Sequence, residues 1–478
     1  MTDLPSKISR KKFDVVNVRT NRPERASAGA IKVFRQPQRF DQASGNERLG
    51  VNNLKAGTDG PQSAAADLQI SSSMKLFIVT FLFAMLFPVI FHIGPLNFTG
   101  SRFFLTVTVI PALVAVIARQ RLQLADYLLL GYVFWATICF IANHEFWTAI
   151  QSSGSNFVEV AGAYFLGRMT LRYPSSYIFL SKCLFFTVLF LLPFALIESQ
   201  TGGAIIIDIL GKFLPTYPDL SMERRLGLER AQTVFEHPIL FGVFCAGAFS
   251  PAILVSARNS GRFKQVLFGF LVALATFLSL ATGAYLNVIW QILIVTWNNT
   301  FRNVKRRWLL LFGLAVLAYL FIDAASNRTP FEVFISYFTF ELNSSYNRVL
   351  IWKYGTAELY RHPVFGIGLN DWVRAPWMGS TFDNFWLLRA MRFGFPGFAF
   401  LISTVLVAAN GITNRVDSSD KDWKAVSLSQ LCVLIGTSVS LVTVDLWSGS
   451  QTLFFLFLGA AVSLNQTYKT ATDNLRST

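Results

Sequence analysis

Apolar runs of roughly 17 to 25 residues recur from Met74 almost to the C-terminus, each long enough to cross about 30 Å of hydrocarbon as a helix. In lipid every backbone polar group must be satisfied within the segment or within a closed barrel, so such a chain has two folds open to it. Barrel strands would alternate apolar and polar residues, and these runs do not. The predicted fold class is therefore an all-α polytopic membrane protein. Composition agrees: 53% of the 478 residues are hydrophobic, 14% are charged, 47 are phenylalanine, and the mean hydropathy is +0.45.

The runs lie near 74–92, 102–118, 124–143, 156–170, 176–197, 237–257, 263–281, 283–298, 307–324, 385–409, 424–444 and 449–465, which predicts about twelve transmembrane helices. The connections "RQRLQ", "RMTLRYP", "RNSGRFK" and "FRNVKRR" follow even-numbered runs and are basic, so those ends are expected in the cytoplasm, together with both termini. The opposite connections, "HIGPLNFTGS" and the stretch around "HEFW", carry little positive charge. Two long connections, 198–236 and 325–384, fall on the outer side, the larger between helices 9 and 10. Residues 1–73 are polar and basic and read as a disordered cytoplasmic tail without a signal peptide. Residues 74–465 form the membrane domain, and 466–478 a short cytoplasmic tail.

The net charge of +15 does not point to nucleic acid, because the basic residues fall mostly between apolar runs. Four cysteines sit far apart inside apolar runs as packing residues, and four scattered histidines have no metal-ligand spacing. No metal or cofactor is expected.

The charges that topology does not explain gather in the two outer loops. "MERRLGLERAQTVFEHPILFG" places Arg224, Arg225 and Arg230 ahead of a helix starting at His237 and Pro238, whose N-terminal amides favour an anion. The alternative is that these arginines pair with Glu223, Glu229 and Glu236. "NRVLIWKYGTAELYRHPVFGIGLNDW" holds Arg348 and Trp352 on an amphipathic surface helix stopped at His362 and Pro363, then Gly366 and Gly368 in a tight turn. "STFDNFWLLRAMRFGFPGF" puts Asp383 and Asn384 at the mouth of the tenth helix, with Arg389 and Arg392 roughly 9 to 14 Å along it. Ionised arginine in lipid costs several kcal/mol, so both are expected to face a polar cavity or the interface. Asp383 is either an N-cap or a chemical group. Outward-facing arginines with a nearby acid suit a lipid-linked pyrophosphate donor, since guanidinium forks can stabilise the charge on a departing pyrophosphate. Asp383 could then take the proton of an incoming sugar hydroxyl.

In these residues the chain resembles the bacterial O-antigen ligases and Wzy-type polysaccharide polymerases, closest to the exopolysaccharide-polymerase branch. The likeness covers roughly 74–465 and is carried by Arg348, Trp352, His362 to Gly368, Asp383 with Asn384, and Gly394 with Gly397. Upstream, Arg230, Phe235 and Pro238 stand in the family's spacing, with Thr233 where a glycine is usual. Many ligases have His-Asn where this chain has Asp383-Asn384, which favours the polymerase branch. The resemblance implies a GT-C-like helical fold and a metal-independent inverting glycosyltransferase of the bacterial inner membrane. Its active site would face the periplasm, and it would join undecaprenyl-pyrophosphate-linked oligosaccharide repeats onto a growing glycan acceptor to form exopolysaccharide.

On that reading Asp383, Arg348 and Arg230 are the catalytic candidates. Arg225, Arg389, Arg392, Asn384, His362, His237, Trp352, Gly366 and Gly368 are the binding candidates, and His237 and His362 are substitutes for Asp383 as base. Trp372, Trp377 and Trp386 could stack on sugar faces or anchor in the interface. Partners would be membrane lipid, a chain-length regulator and export proteins. The rival readings are an O-antigen ligase acting on lipid A core, a flippase of the same lipid-linked glycan, and a structural membrane subunit.

Overall fold

A computed structural model describes residues 70–94, 96–220, 222–338 and 342–477, except for side chains at 336–344 and 475–477. The expected N-terminal tail lies almost wholly outside the described residues. The structure is 73% helical, an all-α membrane protein with six helices long and apolar enough to cross a membrane.

Each of the twelve apolar runs is helical. In chain order the elements are α1 (Ser72–Leu86), β1 (Ile90–Ile93), β2 (Leu96–Thr99), α2 (Gly100–Arg119), α3 (Leu124–Asn143), α4 (Phe146–Asn156), α5 (Ala163–Thr170), α6 (Pro174–Thr201) and α7 (Ile205–Gly211). Then come α8 (Pro238–Gly247), α9 (Arg262–Leu278), α10 (Thr282–Thr300), α11 (Arg307–Ala325), α12 (Pro330–Phe338), α13 (Leu342–Arg361), α14 (Phe385–Thr413), α15 (Lys421–Ser440) and α16 (Ser448–Ser477). The six long apolar spans are α2, α3, α6, α8 with its continuation to Ser256, α11 and α14. α11 has no buried residue in its apolar window, as suits a helix solvated by lipid on the rim.

Two departures from the expected runs have local causes. The first run stops as a helix at Leu86, because Pro88 cannot continue it, and 90–99 instead pair as an antiparallel hairpin with Ile90 opposite Thr99. The fourth run does not start at 156. α4 begins at Phe146 and passes through a π-helical turn, Phe157–Gly162, into α5. A π turn holds one extra residue and turns the following side chains to a new face, here Glu159 toward Arg102 of α2.

The bundle core is tight where small residues meet. A Cβ on Gly459 of α16 would fall 1.9 Å from the Tyr164 carbonyl oxygen, and one on Gly167 of α5 would fall 2.1 Å from that of Leu456. These two helices therefore touch backbone to backbone, as small-residue interfaces in membranes allow. One buried ion pair ties α3 to α5. Asp126 at the start of α3 binds Arg168 Nη2 at 2.9 Å and accepts from Tyr164 Oη at 2.7 Å, with both charged side chains fully buried.

α14 is broken near its start. Gly394 has φ 67° and ψ −178°, followed by Pro396, so the first 10 residues of the helix end in the bundle with orphan carbonyls. The turn at 363–368 supplies the partners. Ile367 N donates to Met391 O and Gly368 N to Arg392 O, both at 3.0 Å, while Phe395 N donates to Pro363 O at 2.8 Å. Trp135 Nε1 of α3 donates to Phe393 O at 2.9 Å. Gly366 (φ 63°) closes the match, because a Cβ there would lie 2.4 Å from the Arg392 backbone.

Replacement of Gly394 by alanine is expected to destabilise the fold by at least about 2 kcal/mol, since a Cβ would sit 2.0 Å from Val364 O at a left-handed φ. Alanine at Gly313 on the open face of α11, where a Cβ meets nothing within 4 Å, is expected to leave thermal melting in detergent unchanged.

Candidate functional site

The long loops converge over the mouth of α14. The N-cap of that helix is Asn384, whose Oδ1 accepts from Leu387 N at 3.0 Å. Asp383 is therefore not the cap, and its carboxylate turns into a cavity. Phe385 N donates to Leu441 O at 3.0 Å and to Val444 O at 3.1 Å, which seats the helix start on the α15–α16 connection and brings Asp445 beside Asp383.

The first cavity, of about 210 Å³, is lined by Arg225, Arg230, His237, Arg348, Thr381 and Asp383. Among the described residues, three guanidinium groups thus share this cavity with the Asp383 carboxylate. Arg225 Nη1 donates to Leu280 O at 3.0 Å and Arg230 Nε to Ser279 O at 3.4 Å, so both grip the turn between α9 and α10. Arg348, on the buried face of α13, is 6% exposed. Burial pushes the Asp383 carboxyl above its ordinary range, against the opposing pull of Arg348, Arg230 and Arg225. Arg224 pairs at the surface with Glu229 at 2.6 Å.

His237 has a defined tautomer. Burial, with Arg230 and Arg225 nearby, lowers its pKa to about 4, so the ring is neutral near pH 7. Its Nδ1 accepts from Ile239 N at 3.1 Å, which leaves the proton on Nε2. His237 is then a hydrogen-bond donor rather than a base.

The loop that carries Arg230 and His237 is held from α6. Glu198, 2% exposed, accepts from Gln232 N at 2.8 Å through Oε1 and from Thr233 N at 2.9 Å through Oε2. Thr233 has φ 54°, a left-handed conformation that favours glycine.

Two further cavities continue from the first. One of about 470 Å³ shares His237, Thr381 and Asp383 with it and adds Trp372, Arg392, Asp445 and Trp447. Burial raises the Asp445 carboxyl above its usual range, opposed by Arg389 and Arg392. The other, of about 330 Å³, shares Arg392 and Leu369 with the second and reaches Arg102, Glu159, Arg389 and Gln451. Arg389 lies over the Phe385 ring, 4.8 Å from its centroid, and donates through Nη2 to Gln451 Oε1 at 2.8 Å. Among the described residues, no group of three or more His, Cys, Asp or Glu side chains is placed to hold a metal ion.

Several candidates lie elsewhere. Trp352 stacks on Phe331 with centroids 4.1 Å apart. His362 is half exposed beside Glu358, Nε2 to Oε1 at 3.5 Å. Gly366 and Gly368 shape the turn that docks on α14 and do not line the first two cavities. Trp386 donates to Ser438 O at 2.8 Å, Trp377 is exposed, and of the three tryptophans named from sequence Trp372 lines a cavity. Glu159, Glu198, Asp445 and Gln451 belong to the site or its support without being marked by any motif. Glu159 and Glu198 are carboxylates within or at the end of apolar runs, and Asp445 directly follows the run 424–444; an ionisable residue in such a place is itself a signal.

No protein-family model matches this chain, and no curated protein matches it either.

Thr233→Gly is expected to stabilise the protein by up to about 1 kcal/mol in thermal melting, by relieving backbone strain. Glu198→Ala leaves two buried N–H groups without partners at a cost of about 1 to 3 kcal/mol each, and is expected to make the 230–237 loop open to protease while the helical signal persists.

Proposed function

We propose that this chain is an inner-membrane glycosyltransferase of the O-antigen ligase and Wzy polymerase type, joining lipid-pyrophosphate-linked oligosaccharide repeats into a polysaccharide. The reading carries with it twelve spans, cytoplasmic termini and a site facing the periplasm. The observation behind it is the convergence of Arg225 and Arg230 from one loop with Arg348 and Asp383 from another on a single cavity. Among the described residues, Arg225, Arg230 and Arg348, from segments more than 100 positions apart, bring their guanidinium groups to the cavity that holds Asp383.

In the reaction, an acceptor hydroxyl oxygen attacks the anomeric carbon from the face opposite the pyrophosphate. The bond from that carbon to the phosphate oxygen breaks, and its electron pair leaves with the lipid pyrophosphate. Arg225, Arg230 and Arg348 stabilise that charge, with His237 Nε2–H as a further donor. Asp383 takes the hydroxyl proton, and its raised pKa makes it a better base than an exposed aspartate. Inversion at the transferred carbon follows from the single displacement.

The test is the purified protein in lipid, supplied with lipid-linked repeat units and read by polymer length on a gel. Arg348→Ala and Asp383→Asn are each expected to lower turnover by about 100-fold or more with normal melting behaviour. The base acts deprotonated, so the rate falls as pH drops through the Asp383 pKa, at a higher pH than an ordinary aspartate of about 3.9 would give. Asp383→Asn removes that limb. Transfer only when lipid A core is added would make the protein a ligase, and donor crossing the bilayer without turnover would make it a flippase.

A further inference from the structure

The third cavity is cationic in its own right. Arg102, Arg389 and Arg392 line it against the single carboxylate of Glu159, and Glu159 is already taken by Arg102, which donates to Oε1 from Nε at 2.8 Å. Among the described residues, Arg389 hydrogen-bonds to the neutral Gln451. Arg392 makes no hydrogen bond or ion pair among the described residues, although it borders both the second and the third cavities. Asp445, across the shared wall, offsets one of these charges, and its Oδ1 is buried without a hydrogen-bond partner. One positive charge in excess inside a half-enclosed cavity is unfavourable unless an anion enters.

The remaining wall says which kind of anion fits. Asn97, Gln151, Ser152, Ser155 and Asn156 line the cavity, and Asn156 Nδ2 is a buried donor without a partner. Amides and hydroxyls both donate and accept, as the hydroxyl groups of a sugar require, whereas a phosphate would use donors alone. The adjoining cavity adds the indole surfaces of Trp372 and Trp447. Asn156 ends α4 immediately before the π turn at Phe157–Gly162, and Glu159 lies within that turn.

We infer that the cavity at Arg389, Arg392 and Asn156 binds an acidic sugar residue of the glycan, its carboxylate on Arg392 and its ring hydroxyls on the amide and serine wall. This deepens the glycosyltransferase reading and rests on it for the identity of the glycan as substrate. It makes the enzyme selective for acidic repeats, with the pyrophosphate group and the sugar carboxylate held by separate arginine clusters on either side of Asp383 and Asp445.

The test is binding of trigalacturonate, maltotriose and inorganic pyrophosphate to the full chain in lipid nanodiscs at low salt, by calorimetry. Trigalacturonate is expected to bind at least about tenfold more tightly than maltotriose, the scale of one charge-assisted hydrogen bond. Arg392→Gln should bring the two sugars together, and Arg392→Lys, which keeps the charge, should preserve a preference. Equal affinity for the two sugars in the unmodified chain, no binding of either, or an unchanged preference in Arg392→Gln would overturn the inference. Displacement of trigalacturonate by pyrophosphate in Arg348→Gln would also overturn it, by assigning the cavity to phosphate. Binding needs no turnover, so a failure of polymer synthesis leaves this result readable, and polymer synthesis without a sugar preference defeats this inference alone.

Discussion

A helix that stops inside a membrane leaves backbone groups that lipid cannot satisfy, at several kcal/mol each. The break at Gly394 creates that problem, and the turn at 363–368 together with Trp135 solves it by meeting the carbonyls of Met391, Arg392 and Phe393. The 363–368 loop is therefore bonded to the helix bundle through main-chain groups and is not merely laid over it. Because the first segment of α14 carries Asn384, Arg389 and Arg392, the same bonds set the height and direction of the site's side chains. Leu369 N, donating to His144 Nε2 at 2.7 Å, extends the attachment to the end of α3.

Electrostatics then divides the site. One arginine cluster comes from the loops and one from α2 and α14, and the carboxylates of Asp383 and Asp445 lie between them. Each carboxylate is pushed toward protonation by burial and held back by its own arginines, so the two clusters and the two acids tune one another. Neutral His237, with its Nδ1 occupied by Ile239 N, adds a donor without adding charge.

Much of this was legible in the sequence. Helices form at every apolar run because an unbroken apolar stretch of that length has no other stable backbone in lipid. Arg225, Arg230, Arg348 and Asp383 could be singled out because charge near an apolar run needs a reason, and the fold brings all four to one cavity. Asn384 rather than Asp383 caps α14, a choice between adjacent cap formers that only the backbone trajectory decides. Trp352, one turn beyond Arg348, is taken up by Phe331 of α12, and His362, just past the end of α13, sits beside Glu358; neither contact is encoded by spacing. Glu198 was hidden by its role: it binds backbone N–H groups 34 and 35 residues away, and no spacing rule encodes that. The hairpin at 90–99 was hidden by hydropathy, which reads apolar strands and apolar helices alike.

α3 is clamped at both ends. Asp126 fixes its start through Arg168 and Tyr164, while Asn143 and His144 tie its end to the turn beneath the site. Twenty helical residues span about 30 Å, close to the thickness of the hydrocarbon layer. Such a strut cannot shorten by tilting without breaking a buried ion pair at one end or the loop attachment at the other. The elevation of the cavities above the far membrane surface is thus a fixed length of the protein, and a bilayer of different thickness must deform around it.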